Sequence, residues 1–161
     1  GLPRVEYLYL PLPVEKNIAV ELQAMWKETL GVEVSLTKQE QKIWLASMRE
    51  LSYHVCRSSW VGDYNDPNTF LECFTIGNGN NRTGWAHAAY DNLIRTANLN
   101  TNPKERAALL RQAETLLIRD ELPIVPLWFY AGVNFYDPTK ITGIHANLLD
   151  EHPIHTIRRK K

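Results

Sequence analysis

The apolar pattern of residues 5–59 changes period several times, and those changes constrain the fold more than any motif in the chain. Val5 to Leu10 is a short apolar-rich run closed by Pro11 and Pro13, residues that belong at strand ends. Ile18, Leu22, Met25, Trp26 and Leu30 then recur at helical spacing, with Glu15, Lys16, Glu21, Lys27 and Glu28 expected on a wet face. Gly31 suits the left-handed residue that closes a helix, so the spacing predicts a helix over 15–30. Val32, Val34 and Leu36 alternate with Glu33, Ser35 and Thr37, the period-two pattern of a half-buried strand. A second helix over 38–51 carries Trp44, Met48 and Leu51 in register, and a strand over 53–59 follows. The order β-α-β-α-β predicts an α/β fold with a mainly parallel sheet covered by helices, whose ligands sit at the carboxyl ends of strands.

The last of these strands runs into Trp60-Val61-Gly62-Asp63-Tyr64-Asn65-Asp66-Pro67, a loop of the kind on which rigid scaffolds place binding groups. Its two acids separate by local chemistry. Asp66 before Pro67 has the form of a helix start, with Asp66 as cap and Pro67 in the first turn, where a missing N–H costs nothing. Asp63 has no such duty and stands beside Gly62, which permits a tight turn or close approach by another part of the chain. Aspartate is also common in solvated turns, so the residues alone leave Asp63 as either a turn residue or a ligand group.

A short helix is expected near 69–75, followed by Gly77-Asn78-Gly79-Asn80-Asn81-Arg82-Thr83-Gly84, a polar connection. This stretch lacks the Gly-Lys-Ser/Thr ending and the preceding strand of a phosphate loop. Two helices follow, over 88–98 and 103–120. Asn102 caps the second, Pro103 takes its first turn and Glu105 stands at the capping-box position. Residues 124–130 and 133–136 read as two aromatic-rich strands around Ala131-Gly132, and a final strand is expected near 155–157.

With 161 residues the chain has the size of one ordinary domain, and 18 basic residues balance 18 acidic ones. That balance argues against a nucleic-acid partner, and the Arg158-Arg159-Lys160-Lys161 cluster reads as a solvated tail. The sequence contains neither a membrane-length apolar run nor an export signal, and Gly1-Leu2-Pro3-Arg4 leads so quickly into a strand that an excised piece of a larger protein is expected. Cys56 and Cys73 are the only cysteines; they read as buried free thiols, although spacing alone permits a bridge, and neither stands in a nucleophile motif.

In that order Trp60, Gly62-Asp63-Tyr64-Asn65-Asp66-Pro67, Phe70-Leu71, the asparagine-rich loop, Tyr90-Asp91, Arg106, Ala113-Glu114 and the Pro-Ile-Val-Pro core of 120–130 are fairly specific. Across essentially its whole length the chain resembles the carboxyl-terminal part of a bacterial oligopeptide- or dipeptide-binding protein, the extracytoplasmic solute receptor of an ABC peptide importer. The resemblance implies one lobe of a type II periplasmic-binding-protein fold, with residues 1–136 as ligand-binding lobe and 137–161 as a return segment packing on the other lobe. It implies that Asp63 pairs with a peptide's α-amino group and that Arg57 meets the carboxylate of a short peptide, unless Arg57 serves a structural ion pair. Ser59 to Val61 would offer main-chain groups to an extended ligand, Trp60 and Trp44 would line side-chain pockets, and Asn65 belongs to the same set, with Trp44 equally readable as core. The partners implied are short peptides and the importer's membrane subunits. Without the second lobe, weak peptide binding is expected, together with self-association through Phe135, Ile141, Ile144, Leu148, Leu149 and Ile157.

Two other readings remain open on sequence. One is a same-family receptor for a nickel chelate or an oligosaccharide, ligands that do not need an acid for an α-amine. The other is metal chemistry at His145, His152 and His155 with Asp150 or Glu151, whose extended spacing differs from the helical HExxH pair. No catalytic residue, resident metal or cofactor is assigned, because no nucleophile and base can be paired.

Overall fold

The computed structural model describes residues 4–147 and 149–160. These residues form two compact units, one made of the chain up to Trp60 with Ile76–Ala86, the other of Val61–Thr75 with the chain from His87 onward.

The first unit opens with strand β1 (Val5–Tyr9), helix α1 (Pro13–Leu30), strand β2 (Val34–Lys38), helix α2 (Gln41–Arg49) and strand β3 (Val55–Cys56). All three strands are parallel in the order β2-β1-β3, with Tyr7 opposite Leu36 on one side and Val55 on the other. Tyr7, Leu8 and Tyr9 are buried, as a central strand covered on both faces requires. Tyr7, Tyr9, Ala19 and Val34 form the core, with Leu22 and Trp26 packed against it, and Trp26 meets the Tyr7 ring edge-on at 6.1 Å. The helical stripe is therefore rotated from its predicted position: Met25 and Leu30 are exposed, whereas Ala19 is fully buried. Helix α1 begins at Pro13, which needs no N–H partner, and closes on Gly31 at φ 67°. Helix α2 begins later than predicted because the Gln39 N–H still bonds the Tyr9 carbonyl across the sheet. Strand β3 is far shorter than 53–59, since its ladder ends where β1 ends.

In the second unit, helix α3 (Asn68–Leu71) continues as a 3₁₀ turn (Glu72–Phe74), followed by α4 (Ala88–Leu99) and α5 (Pro103–Thr115). Helices α4 and α5 pack on each other, and their Tyr90, Ile94, Ala97, Leu110 and Ala113 are buried. Asn102 caps α5 by accepting from the Lys104 and Glu105 N–H groups, as its spacing predicts. The Glu105 carboxylate accepts from the Asn102 and Asn100 side-chain amides. After Thr115 the helix widens into a π turn (Leu116–Asp120), and Leu122 takes φ 53° before Pro123.

Residues 124–136 form no strand: no β-ladder found among the described residues includes them, and Pro126 has no N–H to offer. The final strand also lies elsewhere than predicted. Residues Ile154–Thr156 make a 3₁₀ turn, and β5 (Arg158–Arg159) pairs antiparallel with β4 (Ile141–Thr142). Of the tail residues expected to be bare, Phe135 is 92% exposed, but Ile141, Ile144, Leu149 and Ile157 are partly buried; Leu148 lies outside the described residues.

Candidate functional site

In the first unit, the Arg57 N–H makes the last link to β1, onto the Leu8 carbonyl, and the side chain turns inward to the Glu15 carboxylate on the first turn of α1. The two side chains are only 8% and 10% exposed. Glu15 therefore leaves the wet face on which its polarity would place it, because an arginine 42 residues away in sequence neutralises it. Among the described residues the buried Tyr7 hydroxyl has no hydrogen-bond partner; burial pushes its pKa up to about 12, against the pull of the Arg57 charge. Burial likewise pushes the Cys56 thiol up to about 11, opposed by the nearby Trp44 side chain. Trp44 is half-buried on α2, turned toward this strand. Ser59 and Trp60 are exposed on extended chain beyond the end of the ladder.

In the second unit, Val61 is 81% exposed and Gly62 lies close to α3. A Cβ at Gly62 would stand 3.0 Å from the Thr69 methyl and 3.1 Å from the Phe70 ring, so close approach is what requires this glycine. The Asp63 N–H donates to the Thr69 hydroxyl at 2.9 Å, which fixes its backbone to a side chain only 1% exposed. The Asp63 side chain is exposed, and among the described residues its carboxylate takes no hydrogen bond and joins no ion pair. Its charge reaches Cys73, whose thiol is pushed up to about 11, first by burial and then by Glu72 and Asp63. Both cysteines are free. Asn65 is exposed at the tip of the same loop.

Asp66 is fully engaged. One oxygen accepts from the Asn68 N–H at 2.9 Å, although α3 starts one residue later than predicted and Pro67, not Asp66, stands at its cap position; Arg106 of α5 grips both oxygens at 2.7 and 2.8 Å. The Arg106 guanidinium holds the Asp66 carboxyl below its usual range, with the Asn68 N–H assisting. Beneath α3, the buried Tyr90 hydroxyl donates to the Leu71 carbonyl at 2.6 Å. Tyr64, Asn68 and Glu72 link their side chains at 2.7–3.2 Å and brace the turn from outside.

Of the seven residues singled out by sequence, Arg57 and Trp44 are built into the first unit. Ser59 and Trp60 lie at its exposed chain end, and Val61, Asp63 and Asn65 line the exposed loop of the second. Sequence reasoning gave no duty to Glu15, Arg106 or Thr69. Arg106 and Glu15 act on partners about 40 residues away, and only the helix start at Asp66-Pro67 left a local signal. His152 pairs with Asp150 at 2.8 Å, and among the described residues no three His, Cys, Asp or Glu side chains gather as a metal ion would require. No helix among the described residues is long and apolar enough to cross a membrane.

Residues 2–82 match the model of the bacterial extracellular solute-binding proteins, family 5 middle region. The dipeptide-binding protein DppE of Bacillus subtilis (strain 168) is 42% identical over 143 residues, covering 89% of this chain and 26% of DppE. The Escherichia coli murein tripeptide-binding protein MppA superposes with a TM-score of 0.83 at 32% identity, over 98% of this chain and 31% of its own. Its unliganded open form gives 0.87 over 97% and 30%. The probable deoxycholate-binding periplasmic protein YgiS of Escherichia coli (strain K12) is 30% identical, covering 84% of this chain and 25% of YgiS. The chain thus spans about a quarter of the length of the curated relatives it matches. Its parallel sheet flanked by helices and its match across residues 2–82 place it in a family of binding receptors rather than enzymes: the chain belongs to the bacterial extracellular solute-binding proteins, family 5.

Proposed function

We propose that the chain is part of an extracytoplasmic receptor that captures short peptides for an ABC importer, with the peptide's α-amino group on Asp63. The observation that carries this reading is the contrast between two acids of one loop. Asp66 is consumed by Asn68 and Arg106, whereas Asp63 has an anchored backbone and an exposed carboxylate without a structural partner among the described residues. A carboxylate meeting an ammonium away from water makes a charge-assisted hydrogen bond, and removing one partner costs about 2–5 kcal/mol. Ser59 and Val61 would add main-chain hydrogen bonds in strand fashion, which gives affinity without reading side chains. Trp44 and Trp60 of the first unit and Asn65 of the second would each contact ligand side chains. Residues 137–161 would serve as a return segment onto the remainder of the receptor. The relatives' names, which specify a dipeptide and a murein tripeptide, support the ligand class.

A second reading, a ligand without an α-amine, is favoured by one observation: YgiS carries a bile-acid name on a similar sequence. Asp63 discriminates between the two. Calorimetric titration of the full-length receptor with trialanine and with N-acetyl-trialanine is expected to show acetylation weakening binding by on the order of 30-fold or more. Equal affinity for both peptides would remove the amine from Asp63.

A further inference from the structure

We infer that Asn78 is a site of spontaneous covalent modification, where the side-chain amide closes on the Gly79 nitrogen and the residue converts to aspartyl and isoaspartyl forms. Asn-Gly occurs once in the sequence, within the polar connection of residues 77–84. The main-chain nitrogen after an asparagine is within reach of the side-chain amide carbon, and a Cβ on that following residue obstructs the approach; glycine has none. The fold supplies no substitute, because a Cβ at Gly79 would meet nothing within 4 Å. Gly79 also lies outside the left-handed region, so neither packing nor backbone conformation requires glycine here. Gly79 and Asn80 are exposed and Asn78 is half-buried, which leaves the amide open to water. The Asn78 Oδ1 accepts from the Asn80 N–H at 2.9 Å, folding the side chain over the Gly79 peptide and polarising the amide carbonyl toward attack. Asn81 shows the opposite case. Its Nδ2 donates to the Trp85 carbonyl at 2.9 Å, its Oδ1 accepts from the Thr83 hydroxyl at 2.8 Å, and Arg82 follows it with a Cβ.

The Gly79 nitrogen gives its proton to water and bonds to the Asn78 side-chain carbonyl carbon; the bond from that carbon to the amide nitrogen breaks, and ammonia leaves. Water then adds to either carbonyl of the resulting cyclic imide and reopens it. Opening on one side yields an aspartyl residue. Opening on the other routes the main chain through the side chain and frees the former main-chain carbonyl as a carboxylate. That carbonyl accepts from the Asn81 N–H at 3.0 Å, so the isoaspartyl form loses the turn over 78–81 as well as gaining a negative charge. The change falls in 76–86, a stretch of the first unit that lies in sequence between two stretches of the second.

The test is peptide mapping by mass spectrometry of the folded full-length receptor held for weeks in mildly alkaline buffer, beside its Gly79→Ala variant. In the wild type the peptide carrying Asn78 is expected to split into two acid products, the isoaspartyl one larger, while Asn81 stays intact. Gly79→Ala is expected to slow the conversion about tenfold or more without changing the urea melt, since its methyl group meets open space. A wild type that keeps Asn78 intact overturns the inference. So does a product that is aspartyl alone, because direct hydrolysis of the amide leaves no isoaspartyl form. Equal conversion rates in wild type and a folded Gly79→Ala also overturn it. Should Gly79→Ala fail to fold, the products of the wild type decide.

Discussion

Asp63 and Asp66 share one loop, but the structure uses them oppositely, and the difference was partly legible from single residues. A helix start near Asp66 could be read because Pro67 follows it, though the helix begins one residue later, at Asn68; the Arg106 clamp could not, because its partner lies 40 residues on. Glu15 misled for the same reason: helical periodicity counts a carboxylate as wet unless a distant cation is known. The Asp66 clamp has a pH signature. Arg106 holds the Asp66 carboxyl below its ordinary 3.8, so its stabilisation is fully present above that value and is lost as pH falls through the lower value of the folded state. Asp66→Asn is expected to cost about 1–2 kcal/mol at neutral pH, with the deficit against wild type closing in urea melts as the pH is taken below 3.8. A deficit of constant size across that range would show that the clamp is not the cause.

At the scale of elements, the strand and helix order of residues 5–56 follows from periodicity because each element there is amphipathic or centrally buried. Residues 124–136 show where that reasoning stops. Tyr130, Ala131, Gly132, Asn134 and Tyr136 line one hollow with Ile144 and Asp150, while Phe129, Val133 and Phe135 are 97%, 69% and 92% exposed, so an approximate alternation is broken at Ala131. A strand needs a ladder, however, and pattern cannot supply a neighbour. Apolar side chains this exposed favour association. The isolated chain is expected to self-associate at micromolar concentration, and Phe129→Ser with Phe135→Ser to shift it toward monomer in sedimentation velocity. A parent chain that sediments strictly as monomer would contradict this.

For the molecule as a whole, the order of short motifs carried more than any one of them. Neutral charge and the α/β pattern bound the class, and the sequence from Trp60 to Pro67 followed by the asparagine-rich loop narrowed it to a family that the match over residues 2–82 establishes. Ligand length and side-chain preference are not legible, because a chain covering about a quarter of its relatives carries only part of the surface a peptide would touch. The central claim is that one acid of the loop meets a peptide amine. The most direct measurement is a crystal structure of the full-length receptor with trialanine bound. The ligand's α-ammonium is expected within about 3 Å of an Asp63 carboxylate oxygen. An ammonium held elsewhere, with Asp63 still facing solvent, would contradict it.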